Sequence, residues 1–227
     1  MGSTTPVPYW QTNIATQVPT CPPFLLNLSA KDISILSTPD SAYTTLSWPS
    51  VRHLIATNRI DLFQRQPLQL RRYLQFSYQI KQKWGSIIKF ILNERVKWTV
   101  PVVAKGKKPF ECDEDVKILW NDWPYGIDER IVHLVVWTKF ELVDDPETGD
   151  LTTEARREVD EFVNEVFGKT CGEENVIWFK NWAKLKSVSA LEHFHVMLFD
   201  PDPAFVEKIT NGDVPLSRRV VNQEVKA

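Results

Sequence analysis

His193 and His195 stand one residue apart in the run Leu191-Glu-His-Phe-His-Val-Met-Leu-Phe199. On a β-strand, residues two apart share a face, so both imidazoles point the same way as Leu191 and Met197. Their Cβ atoms lie roughly 7 Å apart, at ~3.3 Å per residue. Glu192, Phe194 and Val196 take the opposite face. Two imidazoles on one face lose hydration unless each ring nitrogen finds a partner. Three roles are open to them. They form a buried pair satisfied by neighbours, or two ligands of a metal such as Zn, Fe, Ni or Cu. Alternatively one is a nucleophile whose neighbour holds its tautomer or protonates a leaving group. A metal needs further ligands, and only His53 and His133 remain among the histidines. The nucleophilic scheme requires no metal or other cofactor.

Other chemistry-bearing residues cluster in the same half. Asp122 and Trp123 belong to the turn-forming run Asn121-Asp-Trp-Pro-Tyr-Gly126, and Lys139 lies within the strand-like segment that follows it as a candidate phosphate contact. Five of the nine Trp fall between positions 120 and 182, where they pack a core or stack on a base. Such a stack is worth about 1–3 kcal/mol per base. The eight glycines never approach phosphate-loop spacing, and no G-x-S-x-G elbow occurs.

The elements that position these residues follow from pattern. The first 24 residues carry five prolines and read as an extended arm, docked through Tyr9, Trp10 and Phe24. Residues 25–100 read as helical. Ser29 and Ser47 are caps, Pro67 opens the longest helix, and Leu70, Tyr73, Leu74, Ser77, Ile80 and Trp84 form its stripe. Gly85-Ser86 breaks it before a further helix over Ile87 to Trp98. Residues 101–115, with two prolines, a Lys105-Gly-Lys-Lys108 run and several acids, form a connection. Residues 116–216 read β-β-α-β-β plus a last helix. The strands are Val116 to Trp120, Ile131 to Leu142, Val176 to Phe179 and Ala190 to Phe199. The helix between them is capped by Thr152, and the last starts at Asp200-Pro201 and stops at Asn211-Gly212. Residues 217–227 read as a loose tail.

This order resembles the histidine-triad superfamily over residues 116–199. The resemblance rests on the Asp122–Pro124 turn, the strand opening at His133, the helix, Asn181, Ser187-Val188 and His193-Phe-His195. It implies a nucleotidyl hydrolase or transferase in which His193 attacks phosphorus and His195 is the third histidine. By the same resemblance His133 matches the histidine of the second strand and, with His195, orients the phosphate or donates protons; Asn181 positions the catalytic strand, Ser187 contacts phosphate, and Asp122 binds ribose. The sequence departs where the first triad histidine is Leu191 and where Leu185-Lys186 replaces the usual Gly-Gln. Over the whole chain, the blocks Asn58–Arg65, Leu70–Tyr73, Asn121–Lys139, Trp178–Trp182 and Glu192–Val196 resemble the fungal N-acetylglucosamine-induced protein 1 family. That resemblance implies a link to amino-sugar response.

Composition bounds the remaining choices. A formal charge of −2 offers no footprint for nucleic acid, and no stretch approaches 18 apolar residues, so neither a nucleic-acid nor a membrane partner is expected. The first ten residues lack a basic start and an apolar core, so no signal peptide is expected. Three cysteines without Cys-x-x-Cys spacing argue for reduced thiols and a cytoplasmic or nuclear address. The expectation is an α+β protein, a helical N-terminal half packed on a histidine-triad-like antiparallel sheet with one crossover helix. Its partner is a nucleotide or nucleotide sugar, handled by His193, His195 and His133. The rival is a non-catalytic ligand sensor on the same scaffold.

Overall fold

The computed structural model describes residues 7–181 and 191–219. Four strands form one antiparallel sheet in the order β1-β2-β4-β3. They are β1 Val116–Trp120, β2 Ile131–Thr138, β3 Val176–Phe179 and β4 Glu192–Phe199. The class is α+β. β2 and β4 occupy the centre, paired so that Trp137 opposes His193, Val135 opposes His195 and His133 opposes Met197.

The period-2 alternation sorts the sheet into two buried faces. On one face, Leu134, Val136, Phe194 and Val196 meet the crossover helix α5, Thr153–Val163, through Val159 and Val163. Thr152 caps that helix by accepting the Ala155 N–H. A π turn, Asn164–Gly168, and the short α6, Lys169–Cys171, prolong it and bring Phe167 into the same core. Each fully buried apolar side chain here contributes roughly 1.5–3 kcal/mol.

The other face carries the histidines and is covered by the N-terminal helices. Helix α1, Ala30–Leu36, and α2, Trp48–Ala56, are capped by Ser29 and Ser47, whose side chains accept the Asp32 and Ser50 N–H groups. Helix α3, Pro67–Trp84, starts on proline and ends where Gly85 adopts φ 76°, a left-handed conformation that costs glycine little. Ile80, Phe90, Ile91 and Val96 pack on Leu119, Val135, Trp137 and Leu191. Trp48, Val51, Ile60 and Phe63 pack on Ile131, Phe179 and Met197. Tyr9, Trp10 and Phe24 of the arm lie against Leu25, Ile35, Leu36 and Leu70.

Several boundaries differ from the sequence reading, β4 among them, which begins at Glu192 where the sequence reading starts it at Ala190. The helix expected over Ile87 to Trp98 is α-helical only as α4, Ile87–Phe90. It widens to a π turn over Ile91–Val96 and stops at Lys97, which is left-handed at φ 57°. Strand β2 ends at Thr138 instead of Leu142, because the Thr138 hydroxyl accepts the Phe140 N–H and bends the chain. The last helix, α7, Pro203–Thr210, begins two residues later than expected because Asp202 supplies the cap. Ser217, read as loose, donates its N–H to the Asp122 carbonyl, and Arg219 pairs with Asp213.

The connection over 101–115 is anchored by one carboxylate. Asp115 is fully buried at the start of β1. It accepts the Lys105 and Gly106 N–H groups at 2.8 Å and the Lys139 ammonium at 3.0 Å. Burial alone would raise this carboxyl; the Gly106 N–H, the Lys139 charge and the Lys105 N–H together hold it below the usual range. Asp115→Ala would strand a nearly buried ammonium and is expected to lower unfolding free energy by about 3–5 kcal/mol, read from urea denaturation. A change below about 1 kcal/mol would show that water replaces the carboxylate.

Candidate functional site

A cavity of about 230 Å³ lies between the histidine face of the sheet and helices α3 and α4. His193 and His195 reach it from β4, Trp137 from β2, and Asn181 from the end of β3. The turn after β1 contributes Asn121, Asp122 and Trp123. That turn is pinned by Gly126, whose N–H donates to the Gln64 carbonyl and where any Cβ would collide with the Tyr43 ring. Helix α3 adds Tyr73, Phe76 and Ser77 to the wall.

The histidines play two different parts. His193 is 4% exposed, and its ring stacks on Trp137 at 4.5 Å. Its Nδ1 lies 2.9 Å from the Leu191 carbonyl, so Nδ1 carries the proton and donates it. The neutral ring therefore has its lone pair on Nε2. His195 belongs to a buried file: its Nε2 lies 3.0 Å from Asn181 Nδ2 and its Nδ1 3.0 Å from His133 Nε2. With the Asn181 amide donating, His195 is protonated on Nδ1 and donates to His133. Asn121 closes the far end, with its amide nitrogen 3.1 Å and 3.2 Å from the two His133 nitrogens and its Oδ1 accepting the Trp123 N–H. Phe179 stacks on His195 at 4.9 Å.

Electrostatics keep this file neutral. Burial, then the nearby Arg65 charge, pushes His133 down to about 3. His195 falls well below its ordinary value through burial and then the charges of His133, His193 and Arg65. Neither serves as an imidazolium acid at neutral pH, which leaves them the role of holding the strand and each other.

Asp122 lines the cavity but is engaged: it accepts from Arg95 Nε at 2.8 Å and from the Leu216 N–H at 3.0 Å. Arg95 divides its charge between Asp122 and Asp213, which it meets through both Nη groups at 2.8 Å. Burial, opposed by that shared cation, raises the Asp122 carboxyl to about 6.

The cavity thus gathers His193, His195, Asn181, Asp122 and Trp123 from the sequence reading, with His133 behind His195. Lys139 lies apart, committed to Asp115 and placed over the Trp98 ring. Ser187 lies outside the described residues. The ring of Trp123, read as core or as a stacking surface for a base, neighbours Phe76 at 5.5 Å and Tyr73 at 6.1 Å. Sequence reasoning missed Arg65, Arg95 and Ser77. Arg65 left a trace as the last residue of the Asn58–Arg65 block, and Ser77 as the polar member of the stripe along α3. Among the described residues, no three His, Cys, Asp or Glu side chains are grouped as metal ligands, and no helix is long and apolar enough to cross a membrane.

Comparison with known proteins places this site in a family. Residues 47–199 match the family model described as a protein of unknown function, DUF3605. The chain is 25% identical over 185 residues to N-acetylglucosamine-induced protein 1 of Candida albicans, covering 73% of each. It is 24% identical over 160 residues to uncharacterized protein YPL067C of Saccharomyces cerevisiae, covering 68% of this chain and 79% of that one. The crystal structure of HTC1 superimposes with a TM-score of 0.61 at 21% identity, covering 75% of this chain and 98% of the other. This last likeness establishes the fold alone.

The buried imidazoles predict acid sensitivity. Both folded-state values lie below the unfolded 6.5, so the unfolded chain takes up protons first. Their stabilisation is complete above about pH 6.5 and is lost as pH falls toward 3, at up to about 1.4 kcal/mol per histidine per unit. Asp122 acts oppositely, its raised value lowering stability as pH rises from about 4 to 6. Two groups outweigh one, so the urea midpoint at pH 7 should exceed that at pH 5. A flat profile would mean that protons reach the imidazoles in the folded protein.

Proposed function

Because the chain belongs to the DUF3605 family, whose description leaves activity open, we propose from the site itself that it binds a small phosphorylated ligand, of the nucleotide or nucleotide-sugar class, and cleaves or transfers the phosphate through His193. The observation that carries this reading is the 2.9 Å hydrogen bond from His193 Nδ1 to the Leu191 carbonyl. It fixes the tautomer in which Nε2 is the unprotonated nitrogen, the form a nucleophilic imidazole needs, on the wall of a cavity of about 230 Å³. The departure at Leu191 is thereby softened. The backbone of that residue orients His193, so a leucine side chain there is compatible with a nucleophile.

The chemistry follows in two displacements. His193 Nε2 attacks phosphorus and forms an N–P bond as the leaving group departs, and water or an acceptor then takes the phosphate from the imidazole. His195, His133 and Asn181 hold the strand that carries His193. Similarity to a protein named for induction by N-acetylglucosamine supports amino-sugar response as the setting. The engagement of Asp122 and Lys139 in ion pairs favours the rival, a ligand sensor without turnover.

Phosphorus NMR of the wild-type protein and His193→Asn, each with nucleotide sugars, dinucleotides and nucleoside phosphoramidates, separates the two. New signals with wild type, slowed about a thousandfold or more in the variant, are expected. Line broadening of one compound without new signals would overturn catalysis and leave the sensor.

A further inference from the structure

Among the described residues, no carboxylate pairs with Arg65. Its Nε donates to the Trp123 carbonyl at 2.9 Å, and its guanidinium lies over the Tyr73 ring at 4.1 Å, with Tyr125 at 5.6 Å. Among the described residues neither Nη nitrogen donates to a protein acceptor and no Asp or Glu pairs with it. Arg95, on the same cavity, is matched by two carboxylates and so has no charge to spare.

Two further donors on the wall are unmet. The Trp123 indole N–H and the Ser77 hydroxyl are buried with no hydrogen-bond partner among the described residues. Trp123 itself is 5% exposed. These groups form one patch. Trp123 neighbours Tyr73 and Phe76, Arg65 rests on Tyr73, and Ser77 stands one helical turn beyond Tyr73. Buried donors left unmet cost free energy, and a cluster of them beside a bare guanidinium is matched by an anion. The donors outnumber what a two-oxygen carboxylate accepts, whereas a phosphate monoester offers three acceptor oxygens.

Size narrows the class. At about 30 Å³ per water in the liquid, the cavity holds about eight waters, below the range for drug-sized ligands. We infer that the cavity is a site for a single-ring phosphate monoester, a sugar phosphate, with its phosphate on Arg65, Ser77 and Trp123. This deepens the preceding reading and rests on it for turnover, though not for binding. A larger substrate would place its sugar-phosphate moiety inside and its leaving group outside.

Titration calorimetry with glucose 6-phosphate, glucose, UMP and inorganic phosphate tests the assignment. Glucose 6-phosphate should bind and glucose should not at equal concentration. Arg65→Gln should weaken binding about 10- to 100-fold and Arg65→Lys less. If Arg65→Gln does not fold by circular dichroism, Trp123→Phe, which deletes the indole N–H, should still weaken binding severalfold. Unchanged affinity in the folded variants, or no binding of either glucose 6-phosphate or phosphate at millimolar concentration, overturns the site. UMP binding in place of glucose 6-phosphate overturns the single-ring class. The two readings fail separately. Binding lost in Arg65→Gln without new phosphorus signals from wild type sinks catalysis alone. Turnover in Arg65→Gln with wild-type KM sinks the anion site alone.

Discussion

Burying two imidazoles in contact costs several kcal/mol unless their ring nitrogens are matched, and this constraint shapes the middle of the molecule. His133 and His195 meet across β2 and β4 with Asn181 and Asn121 at either end. The contact depends on the register that sets Val135 opposite His195; a one-residue slip of β4 would turn His195 onto the α5 face, among Leu134, Val136 and Val159, and away from His133. It depends equally on β3 ending at Phe179, which leaves Asn181 beside His195. Phe179, stacked on His195, and Tyr125 and Phe63 beyond it form an aromatic layer along one side of the file.

The N-terminal helices do two things for this arrangement. Their apolar stripes bury the histidine face, and their polar positions equip the cavity that remains. Helix α3 contributes Ile80 to the first task and Ser77 to the second. The π turn over Ile91–Val96 sets Arg95 where it binds Asp122 and Asp213 together. Through Asp122 the same network holds the Leu216 and Ser217 backbone against the cavity wall. Widened turns of this kind recur where a side chain must be re-aimed.

Much of the local structure is written in the sequence because its causes are local. Ser29, Ser47 and Thr152 cap helices since their hydroxyls reach an N–H three residues on. Strands β1 and β3 match their apolar runs to the residue, and alternation along β4 put His193 and His195 on one face. The failures have two kinds of cause, one local and one distant. β2 stops at Thr138 through a side chain-to-backbone hydrogen bond, and Ser217 is tethered by Asp122, 95 residues away in sequence.

For the candidate site, the sequence determined which residues can carry chemistry: a paired-histidine strand, His133, Asn181 and Asp122. The tertiary structure decided their division of labour. Residue type, strand and face do not separate His193 from His195; the sequence told them apart through resemblance alone. Their roles diverge because His193 meets the Leu191 carbonyl and Trp137, while His195 meets His133 and Asn181. Arg65 is likewise an ordinary loop arginine in sequence; its charge matters because folding sets it by Trp123 and Tyr73 with no carboxylate in reach among the described residues. Charge and tautomer are properties of surroundings, and surroundings are assembled from residues far apart along the chain.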